Sequence, residues 1–188
     1  MDLSLGAGQP VLETPRLVLR PPRGSDFEEW AAFAADPVAT RFLGGPQPRA
    51  TAWRSFLAMA GAWFIQGFAP FSVIDKATGR WLGRIGPWRP DGWPGNEIGW
   101  AIVTAAQGQG IACEAATATI DWALTALGWD EIIHCIDEGN TASVALARRL
   151  GSEPRGRVRL PLPVDPEVAI WGQTRAAWLA RRAASATS

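Results

Sequence analysis

Residues 97–112 read Glu-Ile-Gly-Trp-Ala-Ile-Val-Thr-Ala-Ala-Gln-Gly-Gln-Gly-Ile-Ala. The first half, 97–104, is rich in β-branched and aromatic side chains and is typical of a buried strand. The second half ends in a glycine-containing turn that opens a helix-like run to about Leu127. A turn of this kind leaves several backbone N–H groups without partners at the positive end of the helix dipole. The stretch therefore predicts a site for a phosphate or diphosphate group.

The residues of this turn narrow the choice of phosphate ligand. A nucleoside-triphosphate loop needs Gly-x-x-x-x-Gly-Lys-Ser/Thr, whereas the chain's one lysine, Lys76, lies well upstream. A dinucleotide site needs a third glycine, and Cys113 stands at that position. The third option is a Gln/Arg-x-x-Gly-x-Gly/Ala turn that holds the diphosphate of coenzyme A. Residues 107–112, Gln-Gly-Gln-Gly-Ile-Ala, match that pattern.

Four further stretches occur in the order found in one family. They are Leu12-Glu13-Thr14-Pro15-Arg16-Leu17, Gly92-Trp93-Pro94-Gly95, Glu97-Ile98-Gly99-Trp100, and Asn140-Thr141-Ala142-Ser143 followed by Leu150-Gly151. With the turn, they resemble the GCN5-related N-acetyltransferases (GNAT), and within them the RimJ/RimL-like branch of ribosomal-protein alanine acetyltransferases. The resemblance covers about residues 12–178 and implies a single domain over 1–188. It also implies an α/β (α+β) fold: a mixed, twisted central sheet of about six to seven strands, splayed at strands four and five, with helices on both faces.

Alternating and helical apolar spacing, with turn and capping residues, predicts the individual elements. The predicted strands cover 16–20, 71–75, 81–86, 97–104, 131–136, 158–161 and 167–171. The predicted helices cover about 26–36, 51–66, 110–127, 141–150 and 175–182, with loops at 37–48 and 87–95. The buried face of the second helix is expected to carry Trp53, Phe56, Leu57, Ala60 and Phe64. The third helix is expected to bury a stripe of Ile111, Ala115, Ala118, Trp122 and Ala126, widened by Ile120, Leu124 and Leu127.

Composition limits the classes of partner. Almost half of the 188 residues are apolar, but no apolar run approaches the ~18 residues of a membrane span. The start of the chain lacks the blocks of a signal peptide, so a cytoplasmic protein without membrane contact is expected. A net charge of zero does not favour nucleic-acid binding. Cys113 and Cys135 form no Cys-x-x-Cys pair and there is one histidine, so no metal site is expected.

The resemblance implies transfer of an acetyl group from acetyl-CoA to a primary amine by direct attack in a ternary complex. The acceptor is a small-molecule amine or a protein N-terminus, and the chain is a monomer or a homodimer. A backbone N–H near Ile102 or Val103 would stabilise the oxyanion. The residues expected to bind the cofactor are Ile102, Val103, Thr104, Gln107, Gly108, Gln109, Gly110, Ile111, Ala112, Asn140 and Ser143. The alternative is a non-catalytic acyl-CoA-binding or regulatory module on the same fold.

Two residues are candidates for the chemistry. Glu97 is the only acid on the central strand, and an apolar setting would raise its pKa into the range of a general base. The alternatives are a strand-edge carboxylate, in water or paired with Arg84, or a solvent-relayed base. Many relatives protonate the thiolate with a tyrosine, but this chain contains none. Ser143 is therefore the candidate that hydrogen-bonds the thiolate or relays a proton, unless it and Asn140 only begin a helix.

Other candidates have an ordinary structural alternative. His134, the only histidine, is a possible base, but a satisfied core histidine on a buried strand is the favoured interpretation. Trp88, Trp93 and Trp100 are candidates to line the acceptor pocket, together with parts of Phe27 to Phe42. Aromatic core packing is the alternative for the tryptophans.

Overall fold

The computed structural model of the protein describes residues 8–161 and 166–186. The described residues form one eight-stranded sheet with the order β1-β2-β3-β4-β5-β6-β8-β7. All neighbouring pairs are antiparallel except β5 and β6, which are parallel. The strands are β1 Leu12–Glu13, β2 Leu17–Arg20, β3 Phe71–Asp75, β4 Trp81–Trp88, β5 Glu97–Ile102, β6 Glu131–Ile136, β7 Glu153–Arg159 and β8 Glu167–Thr174.

The sheet carries helices on both faces, as predicted. The helices are α1 Phe27–Ala35, α2 Arg49–Gln66, α3 Ile111–Thr125, α4 Thr141–Arg149 and α5 Arg175–Ala186. Ile98 and Ile102 of β5 pack in the same core cluster as α3. Ala101, which lies between them in the alternation of the strand, packs with α1 and α2. Successive residues of β5 thus address opposite faces, which decides where each candidate site residue can act.

The sheet has one strand more than expected because the sequence gives no sign of β1. This strand has two residues, and Leu12 pairs with Leu19 at the edge of the sheet. Two residues are too few to show an alternating pattern. The strand β4 also runs to Trp88, into the segment that was predicted as a loop.

The position of Pro87 in the register with β5 explains why β4 can continue through this proline. Val103 donates its N–H to the carbonyl of Leu82 at 2.9 Å, and Pro87 lies opposite Ile98 in the same register. Because bonded and non-bonded pairs alternate in an antiparallel ladder, the Pro87–Ile98 pair is a non-bonded one. The missing N–H of proline therefore removes no bond to β5, and the expectation of a break at Pro87 was wrong.

The predicted buried face of α2 was also wrong. Trp53, Leu57 and Phe64 are 43%, 48% and 81% exposed. The residues that α2 buries are Ala52, Phe56, Met59 and Trp63. The helix is apolar on almost every side, so its spacing does not single out one face, and contact with the sheet makes the choice.

The stripe predicted for α3 is rotated in the structure. Ile111, Ala115, Ile120 and Leu124 are buried as expected, but Ala118 and Trp122 lie at the margin of the core. Ala116, Thr119 and Ala123 complete the buried face. These small side chains allow the helix to lie close against β4 and β5.

Candidate active site

The sheet opens between β5 and β6. These strands share one register pair, Glu97 with Ile133, supported by a bond of 2.9 Å from Ile133 N–H to the Asn96 carbonyl. In a continued parallel ladder, the N–H of Cys135 would donate to the carbonyl of Ile98. It donates instead to Oε1 of Glu97 at 3.2 Å. The carbonyl of Ile98 lies 2.7 Å from Nδ1 of His134. Two side chains thus replace the next backbone bonds, and the strands diverge.

His134 is a satisfied core residue, as favoured from the sequence. It is 1% exposed. Because a carbonyl can only accept, Nδ1 carries the proton, and Nε2 accepts from the hydroxyl of Ser152 at 3.0 Å. Burial lowers the pKa of His134 to about 4. Because both ring nitrogens are hydrogen-bonded and the ring is neutral near pH 7, His134 has a structural role between the strands and is not a base.

The turn after β5 presents free amides. Gly108 and Gly110 have φ of +73° and +77°, a conformation that favours glycine. Gly110 precedes α3 and provides no side-chain cap. In the described part of the chain, the N–H groups of residues 108–113 donate no hydrogen bond to a backbone carbonyl. They are therefore available to an anion, in the field of the α3 dipole.

Arg16 holds this turn in place from outside. Its Nη1 donates to the carbonyl of Gln109 at 2.9 Å, and its Nε donates to Glu114 of α3 at 2.6 Å. Thr14 donates to the same carboxylate at 2.5 Å. Arg16, one of the residues in the first stretch that carried the family resemblance, thus supports the turn and the start of α3.

A cavity of about 520 Å³ runs from this turn to the opening between β5 and β6. Its volume is within the range of small-molecule sites. Among its lining residues are these candidates from the sequence: Trp100, Ile102, Gln107, Gly108, Gly110, Ile111, Ala112, Asn140 and Ser143. The segment between α1 and α2, including Val38 and Phe42, forms another wall. This wall includes residues of the stretch from Phe27 to Phe42, parts of which were expected to line the acceptor pocket.

Three further candidates for cofactor binding do not line this cavity. Val103 donates its N–H to Leu82. The hydroxyl of Thr104 donates to Asp36 at 2.7 Å, and the side-chain amide of Gln109 donates to the carbonyl of Ala105 at 2.8 Å. Gln109 nevertheless belongs to the run of free backbone amides.

The backbone of Ile102 faces the cavity. Since Val103 and Leu82 are a bonded pair, alternation directs the N–H and carbonyl of Ile102 away from β4. The side chain of Gln107 confirms this direction, because its Nε2 donates to the Ile102 carbonyl at 3.1 Å. Of the two residues considered for oxyanion stabilisation, Ile102 therefore has its amide on the open side.

Glu97 lies on the other face of the opening. It is 8% exposed and accepts from the indole N–H of Trp93 at 2.5 Å, in addition to the Cys135 amide. Burial raises the pKa of Glu97 to about 7, although these hydrogen bonds and the charge of Arg84 oppose the rise. The carboxylate is neither at a wet strand edge nor in a salt bridge with Arg84 within the described residues, so two of its alternatives do not apply. The thiol of Cys135 has a raised pKa through burial and the nearby Glu97, so it stays protonated.

Asn140 and Ser143, the two polar candidates at the start of α4, each form a hydrogen bond within the protein. Asn140 begins the helix, and its Oδ1 accepts from the N–H of Ser143 at 3.1 Å. The hydroxyl oxygen of Ser143 accepts from the indole N–H of Trp100 at 3.0 Å. Both side chains also line the cavity, so capping and ligand contact are compatible.

The three tryptophans are divided between the two faces. Trp88 is paired with Glu97 across β4 and β5, and its ring centroid lies 6.4 Å from that of Trp93. Trp100 is on the opposite face, with its ring 4.6 Å from that of His134, and it lines the cavity. Trp88 and Trp93 are thus beside the carboxylate, whereas Trp100 is beside Ser143.

Among the described residues, no group of three or more His, Cys, Asp or Glu side chains could hold a metal ion. None of the helices in this part of the chain combines the length and apolar character needed to cross a membrane.

The site thus combines a sheet that is split after one parallel pair with a strand–turn–helix unit whose backbone amides are free. Residues 16–153 match the acetyltransferase (GNAT) domain, and the chain belongs to this family. An acetyltransferase of known structure from Agrobacterium tumefaciens is 30% identical, with 92% of this chain and 98% of that chain covered and a TM-score of 0.79.

Two other relatives are similar over different extents. RimJ from Mycobacterium smegmatis, solved in complex with CoA-disulfide, shares the fold at 21% identity and a TM-score of 0.67, with 90% of this chain and 89% of that chain covered. The uncharacterized protein YkkB of Bacillus subtilis is 34% identical over 87 residues, which is 45% of this chain. The match spans about half of that relative, 51% of its length.

Proposed function

We propose that this chain is an acetyl-CoA-dependent N-acetyltransferase that acetylates a primary amine by direct attack in a ternary complex. The observation that carries the proposal is the single cavity that connects the free amides of residues 108–113 with Ser143 at the opening of the sheet. The proposal treats residues 1–188 as one domain that acts in the cytoplasm, as a monomer or a homodimer. The acceptor is a small-molecule amine or a protein N-terminus.

The cavity fits coenzyme A along its length. The amides of residues 108–113 would hold the diphosphate, because they are unpaired and lie at the start of α3. The carbonyl of Ile102 would accept from an amide of the pantetheine arm, as in the addition of a strand, and its N–H is left for the oxyanion. The free amide nitrogen of Asn140 would assist this contact. When bound, the cofactor supplies an acetyl thioester, and the RimJ relative solved with CoA-disulfide supports this assignment.

Glu97 is the proposed general base. A pKa of about 7 leaves the carboxylate able to take a proton from the amine near neutrality. The amine nitrogen forms a bond to the acetyl carbon, the carbon–sulfur bond breaks, and the proton of the amine passes to Glu97. The amide of Ile102 would donate to the oxyanion on the carbonyl oxygen.

Ser143 is proposed to receive the thiolate. Its oxygen already accepts from Trp100, so its own proton remains available to the sulfur. A serine is a weak acid, and the role that fits it is a hydrogen bond to the thiolate or the relay of a proton from water.

The test is thiol release from acetyl-CoA with a panel of primary amines, for the wild type, Glu97→Gln and a matched control. Glu131→Gln is the control, because Glu131 is an exposed carboxylate on β6 that pairs with Arg155. We expect Glu97→Gln to lose roughly 100-fold or more in kcat, with coenzyme A affinity unchanged. Tight cofactor binding without acetylation of any acceptor would support a non-catalytic acyl-CoA-binding module.

A further inference from the structure

Arg84 is a half-buried arginine in the middle of the sheet, and its Nε is buried without a hydrogen-bond acceptor. It lies on β4, opposite Ala101, and its guanidinium carbon is 5.4 Å from the centre of the Trp30 ring. Within residues 8–161 and 166–186, no nitrogen of this guanidinium donates a hydrogen bond or forms an ion pair. Buried guanidinium groups are ordinarily paired, because an isolated buried charge is costly.

Arg84 and Glu97 share one face of the sheet. Arg84 is paired with Ala101, and Glu97 lies four residues before Ala101 on the same side of β5. Each charge affects the other: Glu97 raises the pKa of Arg84, which burial alone lowers, and Arg84 opposes the raised pKa of Glu97. The two groups nevertheless form no salt bridge. Two opposite charges thus face the same space without neutralising each other by contact.

Gly99 leaves room beside the Glu97 carboxyl. Gly99 lies between Glu97 and Ala101 on this face, and a Cβ added there would contact only the Glu97 carboxyl, at 3.6 Å. The cavity that reaches the opening of the sheet is lined by Ala101 as well. An acceptor that enters from the side of Trp88 and Trp93 would therefore meet the carboxylate first and the guanidinium further along the same face.

We infer that the acceptor is an amino carboxylate, whose amine lies at Glu97 and whose carboxylate is bound by Arg84. This inference rests on the proposed function, since it names the substrate class of the same site. A carboxylate offers one negative charge and two acceptors to the planar guanidinium, which is the match that a single Arg makes best. A phosphate would bring a second negative charge close to Glu97. An acceptor without an anion would leave the buried Nε of Arg84 without an acceptor.

A purely structural role for Arg84 predicts a different result for protein stability. If the contact with Trp30 were the reason for this residue, Arg84→Gln would lower the melting temperature of the ligand-free protein. If Arg84 is kept for a ligand, the substitution removes an uncompensated charge, and the melting temperature stays equal or rises. Arg54→Gln is the matched control, because Arg54 is an exposed arginine on α2.

The experiment measures kcat and KM for acceptors in matched sets. L-phenylalanine, L-methionine, β-alanine and γ-aminobutyrate are each compared with the primary amide, with the amine lacking the carboxylate and with the aminophosphonate of equal length. In Arg84→Gln, KM for the preferred amino carboxylate should rise at least about tenfold, as for the loss of a charged hydrogen bond. KM for the matched amide should not change, Arg54→Gln should behave as the wild type, and Arg84→Lys should recover part of the affinity.

Several outcomes would overturn the inference while the proposed function stands. They are acetylation of plain amines in preference to amino carboxylates, a preference for the aminophosphonates, and an equal loss on every acceptor in Arg84→Gln. If no acceptor is acetylated at all, the proposed function fails, and the anion site is tested by itself. Amino carboxylates should then raise the melting temperature of the wild type and not of Arg84→Gln, and equal protection of both would overturn the site.

Discussion

The indole N–H of Trp100 on β5 donates to the hydroxyl oxygen of Ser143 on α4 at 3.0 Å. This bond spans the opening of the sheet and fixes the orientation of the hydroxyl, because it occupies one lone pair of the oxygen. The serine proton is therefore not used in this bond. The chain has no tyrosine, so no phenol is available to the thiolate.

Removal of the Ser143 hydroxyl should slow the chemical step. For Ser143→Ala we expect kcat to fall about 10- to 100-fold, the range for a hydrogen bond to a charged group, with little change in coenzyme A affinity. Trp100→Phe keeps a ring against His134 and removes only the N–H, so it should lower kcat less. Steady-state kinetics check both, with Ser55→Ala on α2 as control. Wild-type turnover in Ser143→Ala would remove the serine from the mechanism.

The activity should depend on the ionisation state of Glu97. A general base must be ionised, and burial raises the pKa of Glu97 to about 7. We therefore expect kcat/KM to rise with pH and to level off above about 7. The pH profile of Glu97→Gln should lack that step, while ionisation of the amine itself remains visible in both proteins. An unchanged step at pH 7 in the variant would assign it to another group.

The stability of the folded protein should depend on pH through the same carboxyl. The pKa of Glu97 is about 7 in the folded state against an ordinary value of 4.5. The folded state therefore holds a proton that the unfolded state releases, and this stabilisation is complete below pH 4.5 and lost as the pH rises to 7. Glu97→Gln lacks the effect. Between pH 4.5 and 7, the free energy of unfolding of Glu97→Gln should therefore increase relative to that of the wild type, by at most about 3 kcal/mol.

Denaturant unfolding at several pH values measures this difference directly. The comparison of two proteins that differ in one residue cancels the titration of every other group. A constant difference between pH 4.5 and 7, or a difference of opposite sign, would show that Glu97 ionises as an ordinary carboxyl.

Two glycines that flank α3 allow the effect of backbone strain to be distinguished from the effect of lost ligand binding. Gly108 before the helix and Gly128 after it have φ of +73° and +69°, and an added Cβ would meet nothing within 4 Å at either. Alanine should therefore cost each about 1 kcal/mol of stability through the left-handed backbone alone. Only Gly108→Ala should weaken coenzyme A binding, by roughly tenfold for one displaced phosphate contact. Equal calorimetric affinities in the two variants would place the diphosphate elsewhere.

The parts of the fold that the sequence predicts well are those with local causes. The strand 131–136 is a run of apolar residues between turn signals, and the structure has it with the same bounds. Asn140 begins α4 as predicted, because an Asn side chain accepts from the N–H three residues later wherever such a helix starts. Gly67 ends α2 with φ of +76° for an equally local reason.

The remaining features depend on residues that are distant in the chain. The buried face of α2 is chosen by contact with the sheet, and the continuation of β4 through Pro87 depends on its register with β5. The role of His134 follows from the Ile98 carbonyl and Ser152, which sequence alone does not bring together. From the sequence, Arg84 was considered only as a partner of Glu97, because the missing acceptor at its Nε is visible only in the structure.

The account is tested most directly by a crystal structure of the protein with coenzyme A. It predicts diphosphate oxygens within hydrogen-bond distance of the amides of residues 108–113, and the sulfur beside the Ser143 hydroxyl at the opening between β5 and β6. A cofactor bound in another groove, or one whose sulfur lies away from both Ser143 and Glu97, would contradict it.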